Sequence, residues 1–279
     1  MNGGGTHVEP VEIEHAAPPR FAAYVFDLDG TVYLDERPID GAPETIRRLR
    51  ADGARVAFVT NKPFEPASAY AAQLTRLGVP ASADDVTTSV DALIDYLTGC
   101  HPGRTVLPIA EQEVLRRLGE AGFPLTDDPT STDVLVVSFD RSFDYAKLHA
   151  AFRAVRERGA VIVATNPDPF CPTREGGLPD CAAMLAAVEA CTGARAEAIV
   201  GKPSPHMITA ALRRLGVTAG DSAMVGDRLH TDVAMGQAVG AAGVLVLTGA
   251  TSADELRASS VRPDYVLGSI RELIPEDDA

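Results

Sequence analysis

A chain of 279 residues, 46% hydrophobic and 23% charged, is long enough to bury a full core and has the composition of a globular protein, with one or two domains at roughly 150 residues each. Its formal net charge of −14 repels polyanions and argues against nucleic acid as a partner. No run of about 18 apolar residues lacks charges, so no membrane span is predicted and a cytoplasmic protein is expected. Cys100, Cys171, Cys181 and Cys191 show no C-x-x-C spacing and read as small buried hydrophobes.

Met1 to Arg20, with Gly3-Gly4-Gly5 and Pro18-Pro19, reads as a disordered tail without the basic start and apolar run of a signal peptide. Phe21 to Phe26 is a short apolar run that stops at Asp27, as a strand buried on both faces of a parallel sheet does. Pro43 to Arg50 predicts a helix, Arg55 to Val59 a second strand closing on Thr60-Asn61, and Pro66 to Leu77 a helix stopped by Gly78. Val86 to Ser89 and Asp91 to Leu97 repeat the unit, so residues 21–99 read as the first part of a doubly wound, Rossmann-like α/β core.

The middle third alternates on its own. Strands are expected over Thr105 to Ile109, Val134 to Phe139 and Val161 to Ala164, with helices over Val114 to Ala121 and Cys181 to Cys191. Tyr145, Leu148, Phe152 and Val155 form one apolar stripe of a further helix. Residues 100–195 therefore read as a second α/β domain. From Ala198 the core pattern returns over 196–279: a helix from Pro205 to Leu215, strands Ser222 to Val225, Val244 to Leu247 and Tyr265 to Leu267, and a helix over Val233 to Val239.

The chemistry concentrates at strand ends. Asp27 and Asp29 lie two positions apart at the end of a buried strand, so both acids can face one crevice at the carboxyl edge of the sheet, and Gly30 lets the backbone turn away. A polar turn is the plain alternative for this pair, as a turn is for Asp227 and a surface lysine for Lys202.

Asp27-Leu28-Asp29-Gly30-Thr31 resembles the first motif of the haloacid dehalogenase superfamily. Thr60-Asn61 resembles its second, Gly201-Lys202-Pro203 its third, and Gly226-Asp227-Arg228-Leu229-His230-Thr231-Asp232 its fourth, all in the family's order. The resemblance implies a phosphatase with Asp27 as nucleophile, forming a phospho-aspartate, and Asp29 as general acid and then base. It implies Mg²⁺ held by the Asp27 and Asp227 carboxylates and the Asp29 carbonyl, with Asp232 as an orienting group behind them. Thr60, Asn61 and Lys202 are the implied phosphate-binding residues, and a small phosphorylated metabolite is the implied substrate.

About 30 residues separate Asp29 from Thr60, room for one helix and strand, whereas about 140 separate Thr60 from Lys202, room for an inserted domain. A cap in that place, with Asn166-Pro167-Asp168 in it, resembles subclass IIA, the NagD-like branch, which includes pyridoxal phosphate phosphatases, phosphoglycolate phosphatases and nucleotidases. Thr165-Asn166 also ends an apolar strand and imitates the second motif; Thr60 is preferred because it closes the first crossover after Asp27. Lys62-Pro63-Phe64 stands where small polar residues are common in the branch. The loop from Asn166 to Leu178 is expected to read the leaving group, with Asn166, Asp168 and Arg174 as specificity residues. His206 and His230 are expected to be structural or substrate-facing. A phosphotransferase or phosphomutase using the same intermediate, and a non-catalytic phosphate sensor, stay open as alternatives. A homodimer is expected by analogy alone.

Overall fold

The computed structural model describes residues 18–173 and 176–274. Most of the expected tail, and Arg174, lie outside them; Arg20, at the tail's end, pairs with Asp52. The first series of elements is β1 (Ala23–Asp27), a short hairpin of β2 (Tyr33–Leu34) and β3 (Arg37–Pro38), α1 (Ala42–Ala51), β4 (Arg55–Thr60), α2 (Ala67–Arg76), β5 (Val86–Thr88) and α3 (Ser89–Cys100). A second series follows: β6 (Val106–Ile109), α4 (Gln112–Glu120), β7 (Val134–Val137), α5 (Tyr145–Arg153), β8 (Val161–Ala164), the hairpin β9 (Phe170–Thr173) and β10 (Gly176–Pro179), α6 (Cys181–Thr192) and β11 (Ala198–Ile199). The chain returns through α7 (Pro205–Leu215), β12 (Ser222–Gly226), α8 (Ala234–Ala238), β13 (Ala242–Val246), α9 (Ala253–Ala258) and β14 (Tyr265–Leu267).

A six-stranded sheet in the order β14-β13-β12-β1-β4-β5 is parallel throughout. The strand AYVFD of β1 is buried along its whole length because both its faces are covered. Alternation sends Tyr24 and Phe26 to one face, where they meet Phe58, Ile46, Leu49 and Leu74. It sends Val25 to the other, against Leu93, Leu97, Met207 and Leu212 from α3 and α7. The chain runs outward from β1 through β4 to β5 and later re-enters the sheet on the other side of β1, at β12. The switch point therefore lies at the carboxyl end of β1, where such sheets open a crevice.

The second sheet, β11-β8-β7-β6, is also parallel. Two details differ from the sequence pattern. Ala198–Ile199 was expected to begin the returning core, yet it pairs with Val163–Ala164 and extends the second sheet; a two-residue apolar pair carries no periodicity that could tell one sheet from the other. In α5 the buried residue is Ala151, followed by Ala154 just beyond it, while Tyr145 is 82% exposed. Ala151 and Ala154 enter the core of the second unit, where α5 lies beside α6, and the larger Leu148 and Val155 are partly buried against it.

The two units meet beside the crevice. Phe64, just after β4, packs on Phe139, just after β7, with ring centroids 5.6 Å apart. Asp91 caps α3 reciprocally with Thr88, and its other oxygen accepts a 2.7 Å hydrogen bond from Arg117 of α4.

Candidate active site

Asp27 is the last residue of β1, Thr60 the last of β4, and Asp227 the first after β12. Because these three strands are neighbours in register, their ends bring the three side chains to one edge. Lys202 reaches the same point from the loop before α7. Its Nζ donates to Asp27 Oδ1 and, at 2.7 Å, to Asp232 Oδ1, all three groups being buried. A Cβ on Gly201 would stand 2.4 Å from the Thr165 carbonyl oxygen and 2.6 Å from Asn61 Oδ1, so only glycine lets this loop lie so close.

The electrostatics follow from burial. Loss of water pushes the Asp27 carboxyl up to about 7; Lys202 opposes the rise and the Asp232 charge adds to it. Burial works against the charge on Lys202, but Asp232 and Asp27 outweigh it and the ammonium is held more firmly than usual. Asp227 is raised to about 6, by burial first and then by the Asp27 charge. Asp232 is raised by burial, against the pull of Lys202.

Asp27, Asp227 and Asp232 present carboxylate oxygens all within 4.8 Å of one another. Asp227 Oδ2 accepts the Ala250 N–H at 2.6 Å, but its Oδ1 is buried and, among the described residues, has no hydrogen-bond partner. A buried carboxylate oxygen in that condition fits a hard cation such as Mg²⁺, which takes oxygen ligands beside phosphate. Both oxygens of Asp232 are engaged, by Lys202 and by the Arg228 N–H at 3.1 Å, which places Asp232 behind the donor set rather than within it.

A cavity of about 650 Å³ opens over this edge, with Asp27, Asp29, Thr60, Lys202, Asp227 and Asp168 in its wall. Asn61 also lines it, but its side chain is engaged: Oδ1 accepts the Lys202 N–H at 2.8 Å, and Nδ2 donates to the Lys202 carbonyl and to Asp168 Oδ2 at 3.0 Å. Asn166, expected among the substrate-facing residues, is fully buried instead. Its Nδ2 donates to the Asn61 carbonyl and its Oδ1 accepts the Asp168 N–H, so it ties the two Thr-Asn loops together and is absent from the cavity wall. The strand pairings separate the two Thr-Asn pairs: Thr60 ends a strand beside β1, and Thr165 follows β8 in the second sheet. His206 packs on Tyr96 at 5.0 Å, and exposed His230 lines a separate, smaller cavity beside α9.

Sequence reasoning missed the Ala250 N–H on Asp227 and the ion pair between Lys62 and Asp29, at 2.8 Å. The unusual Lys62 was visible as a residue type, but its partner was not. Nothing in the sequence points to Ala250.

Family models match both ends of the chain: one described as haloacid dehalogenase-like hydrolase over residues 24–124, and a HAD-hydrolase-like one over 199–273. The sugar-phosphatase AraL of Bacillus subtilis is 34% identical over 93% of this chain and 94% of its own. The 4-nitrophenylphosphatase of Thermotoga maritima superposes with a TM-score of 0.85 at 31% identity, covering 91% of this chain and 96% of that one. NagD from E. coli K-12 gives 0.83 at 30% identity, over 91% and 98%. The chain belongs to the haloacid dehalogenase-like hydrolases, within the NagD-like phosphatases of subclass IIA.

Proposed function

We propose that this protein hydrolyses small phosphate monoesters, sugar phosphates foremost, through a phosphoenzyme on Asp27. The observation that carries the reading is the meeting of a buried carboxylate at a strand end, an ammonium bound to it, and an unpartnered Asp227 oxygen on the wall of one cavity. Sugar phosphates lead because AraL and the 33–34% identical acid sugar phosphatases of Staphylococcus species bear that description.

Asp27 attacks phosphorus through a carboxylate oxygen, and the ester oxygen leaves with a proton from Asp29. Water then attacks the phosphorus of the acyl phosphate, gives its proton to Asp29, and returns Asp27 as a carboxylate with release of inorganic phosphate. Lys202 orients Asp27 and offsets charge on the transferring group. Thr60 Oγ1 accepts the Lys62 N–H, which leaves its own proton for a phosphate oxygen. Asn61 acts by holding Lys202 in place. Asp27 and Asp227 carboxylates and the Asp29 carbonyl would hold Mg²⁺, which when bound supplies positive charge to the phosphate oxygens. A crystalline relative, the glycerol phosphate phosphatase of Mycobacterium tuberculosis, is described in complex with magnesium. Asp168, with Phe170, Cys171 and Asp180, brings the cap to the cavity wall, and its carboxylate is our candidate to meet the leaving group.

The test is phosphate release from 4-nitrophenyl phosphate and a panel of sugar phosphates with Mg²⁺, with chelator, and with Asp27→Asn. Activity that needs the metal and vanishes in the variant supports the reading. Turnover above about one percent in Asp27→Asn sinks the nucleophile, since losing an activated nucleophile removes orders of magnitude.

A further inference from the structure

Lys62 stands two positions beyond Thr60, and its ammonium lies 2.8 Å from Asp29 Oδ2. Burial holds neither group: the Lys62 side chain is 30% exposed and that of Asp29 42%. The lysine backbone is anchored twice, however. Its N–H donates to Thr60 Oγ1 at 3.2 Å, and its carbonyl accepts from the Tyr70 hydroxyl of α2 at 3.5 Å. Asp29 lies past the end of β1 on a loop whose backbone is also held, by the Thr31, Val32 and Tyr33 N–H groups donating to the Leu28 carbonyl and the Gly30 N–H donating to the Tyr33 carbonyl at 2.7 Å, so what is left to orient is its side chain.

A half-exposed aspartate has several staggered rotamers of similar energy. A proton donor must stand about 2.6–3.2 Å from the oxygen it serves, and rotation about χ1 carries the carboxyl farther than that tolerance. We propose that Lys62 is a positioning residue for Asp29: its ammonium, carried on an anchored backbone, pairs with Oδ2 and selects the rotamer, so that Oδ1 is left to carry the transferred proton. This rests on the reading of Asp29 as the acid. In the step itself the Asp27 oxygen–phosphorus bond forms, the phosphorus–ester oxygen bond breaks, and the proton of Asp29 goes to the departing oxygen; Lys62 neither gains nor loses a proton.

Leaving groups supply the test. 4-Nitrophenolate departs with little need of a proton, whereas an alkoxide must be protonated as it leaves. With kcat/KM as the readout, Lys62→Met should lose about 10-fold or more on an alkyl phosphate such as glycerol phosphate and less than about 3-fold on 4-nitrophenyl phosphate, within the 10²- to 10⁴-fold that general acid catalysis is worth. Lys62→Arg should recover most of the loss. Lys62→Met/Asp29→Asn should be no slower than Asp29→Asn, because the lysine acts through the aspartate. Equal losses on both esters, or a further loss in the double variant, would show the lysine acting on the substrate directly and overturn the proposal. Failure of the underlying reading is separately visible: Asp29→Asn alone would then lose the same factor on both esters. Urea midpoints of each variant keep a folding defect from imitating either result.

Discussion

Replacing Lys202 with methionine keeps most of the side-chain volume and removes the one charge that Asp27 and Asp232 share. Lys202 is 5% exposed, so little water reaches the ammonium. Breaking a buried ion pair from one side costs about 3–5 kcal/mol, because a charge stays behind without its partner. The carboxylates have one escape, which is protonation. Asp27 already stands near 7 with the lysine present, and without it both carboxyls rise further. A carboxyl whose folded pKa lies above its unfolded value contributes stability that is fully present below the unfolded pKa and is lost as pH rises through the folded one. The penalty should therefore reach the upper end of the range at pH 8.5 and shrink towards pH 5. At about 2–4 °C per kcal/mol for a chain of this size, the high-pH loss corresponds to a fall in Tm of about 6–20 °C. Urea unfolding of the chelated wild type and variant at both pH values measures it. A loss below about 1 kcal/mol at pH 8.5, or one that does not change with pH, would refute the reasoning about an unpaired buried carboxylate.

Three further changes probe the surroundings. Gly249→Ala would put a Cβ 2.0 Å from Asp227 Oδ2; the displaced carboxylate should raise the Mg²⁺ concentration for half-maximal activity several-fold, and an unchanged metal titration would exclude Asp227 as a ligand. Asp91→Ala removes the carboxylate's half of the α3 capping box, on the Thr88 N–H, and the Arg117 partner, for a loss of about 2–4 kcal/mol at pH 7. Burial raises this carboxyl, but hydrogen bonds from Arg117 and Thr88 outweigh it and the net shift is downward, so its contribution exists above the unfolded pKa of about 3.9 and fades as pH falls through the folded value. Unfolding curves for the pair should accordingly converge in acid, and a constant gap would contradict the assignment. Asp168→Ala, which also releases Asn61 Nδ2, should change kcat/KM unequally among sugar phosphates while metal dependence is kept; a uniform loss would assign Asp168 to the latch between the two units rather than to substrate choice.

Asp27, Thr60 and Asp227 were legible because each ends an apolar run, and a parallel sheet puts the ends of neighbouring strands at one edge. The length between Thr60 and Lys202 announced an inserted unit for the same kind of reason, since a crossover needs few residues. Contacts between distant segments were not legible. Asn61 carries the amide expected of a phosphate ligand, yet its side chain is taken up by Lys202, 141 positions away, and by Asp168. Asn166 likewise looked polar and available in a loop, and only the fold reveals that it is buried between two turns. In α5 the large apolar residues suggested the buried face, but the residue the fold buries there is Ala151.

A chain with a net charge of −14 must still attract a phosphate ester, and the site's own inventory worsens the problem before it solves it. Asp27, Asp227 and Asp232 gather around one ammonium, so with every group ionised two negative charges are left uncompensated. One further carboxylate at about 4 Å from a unit of phosphate charge costs roughly 4 kcal/mol at an effective dielectric of about 20. Burial is the first cause of the raised values of Asp27 and Asp227, about 7 and about 6, and the neighbouring carboxylates add to it, so protons compete with a cation for these groups. On the proposed mechanism, protonation there is harmful in a particular way: a neutral Asp27 has no anionic oxygen with which to attack. On the proposed mechanism, nucleophile and cation requirement are two aspects of one charge balance. Chelation should consequently stop the first half-reaction itself, so that no phospho-aspartate accumulates in a rapid quench, whereas a metal needed only for hydrolysis of the intermediate would leave it trapped.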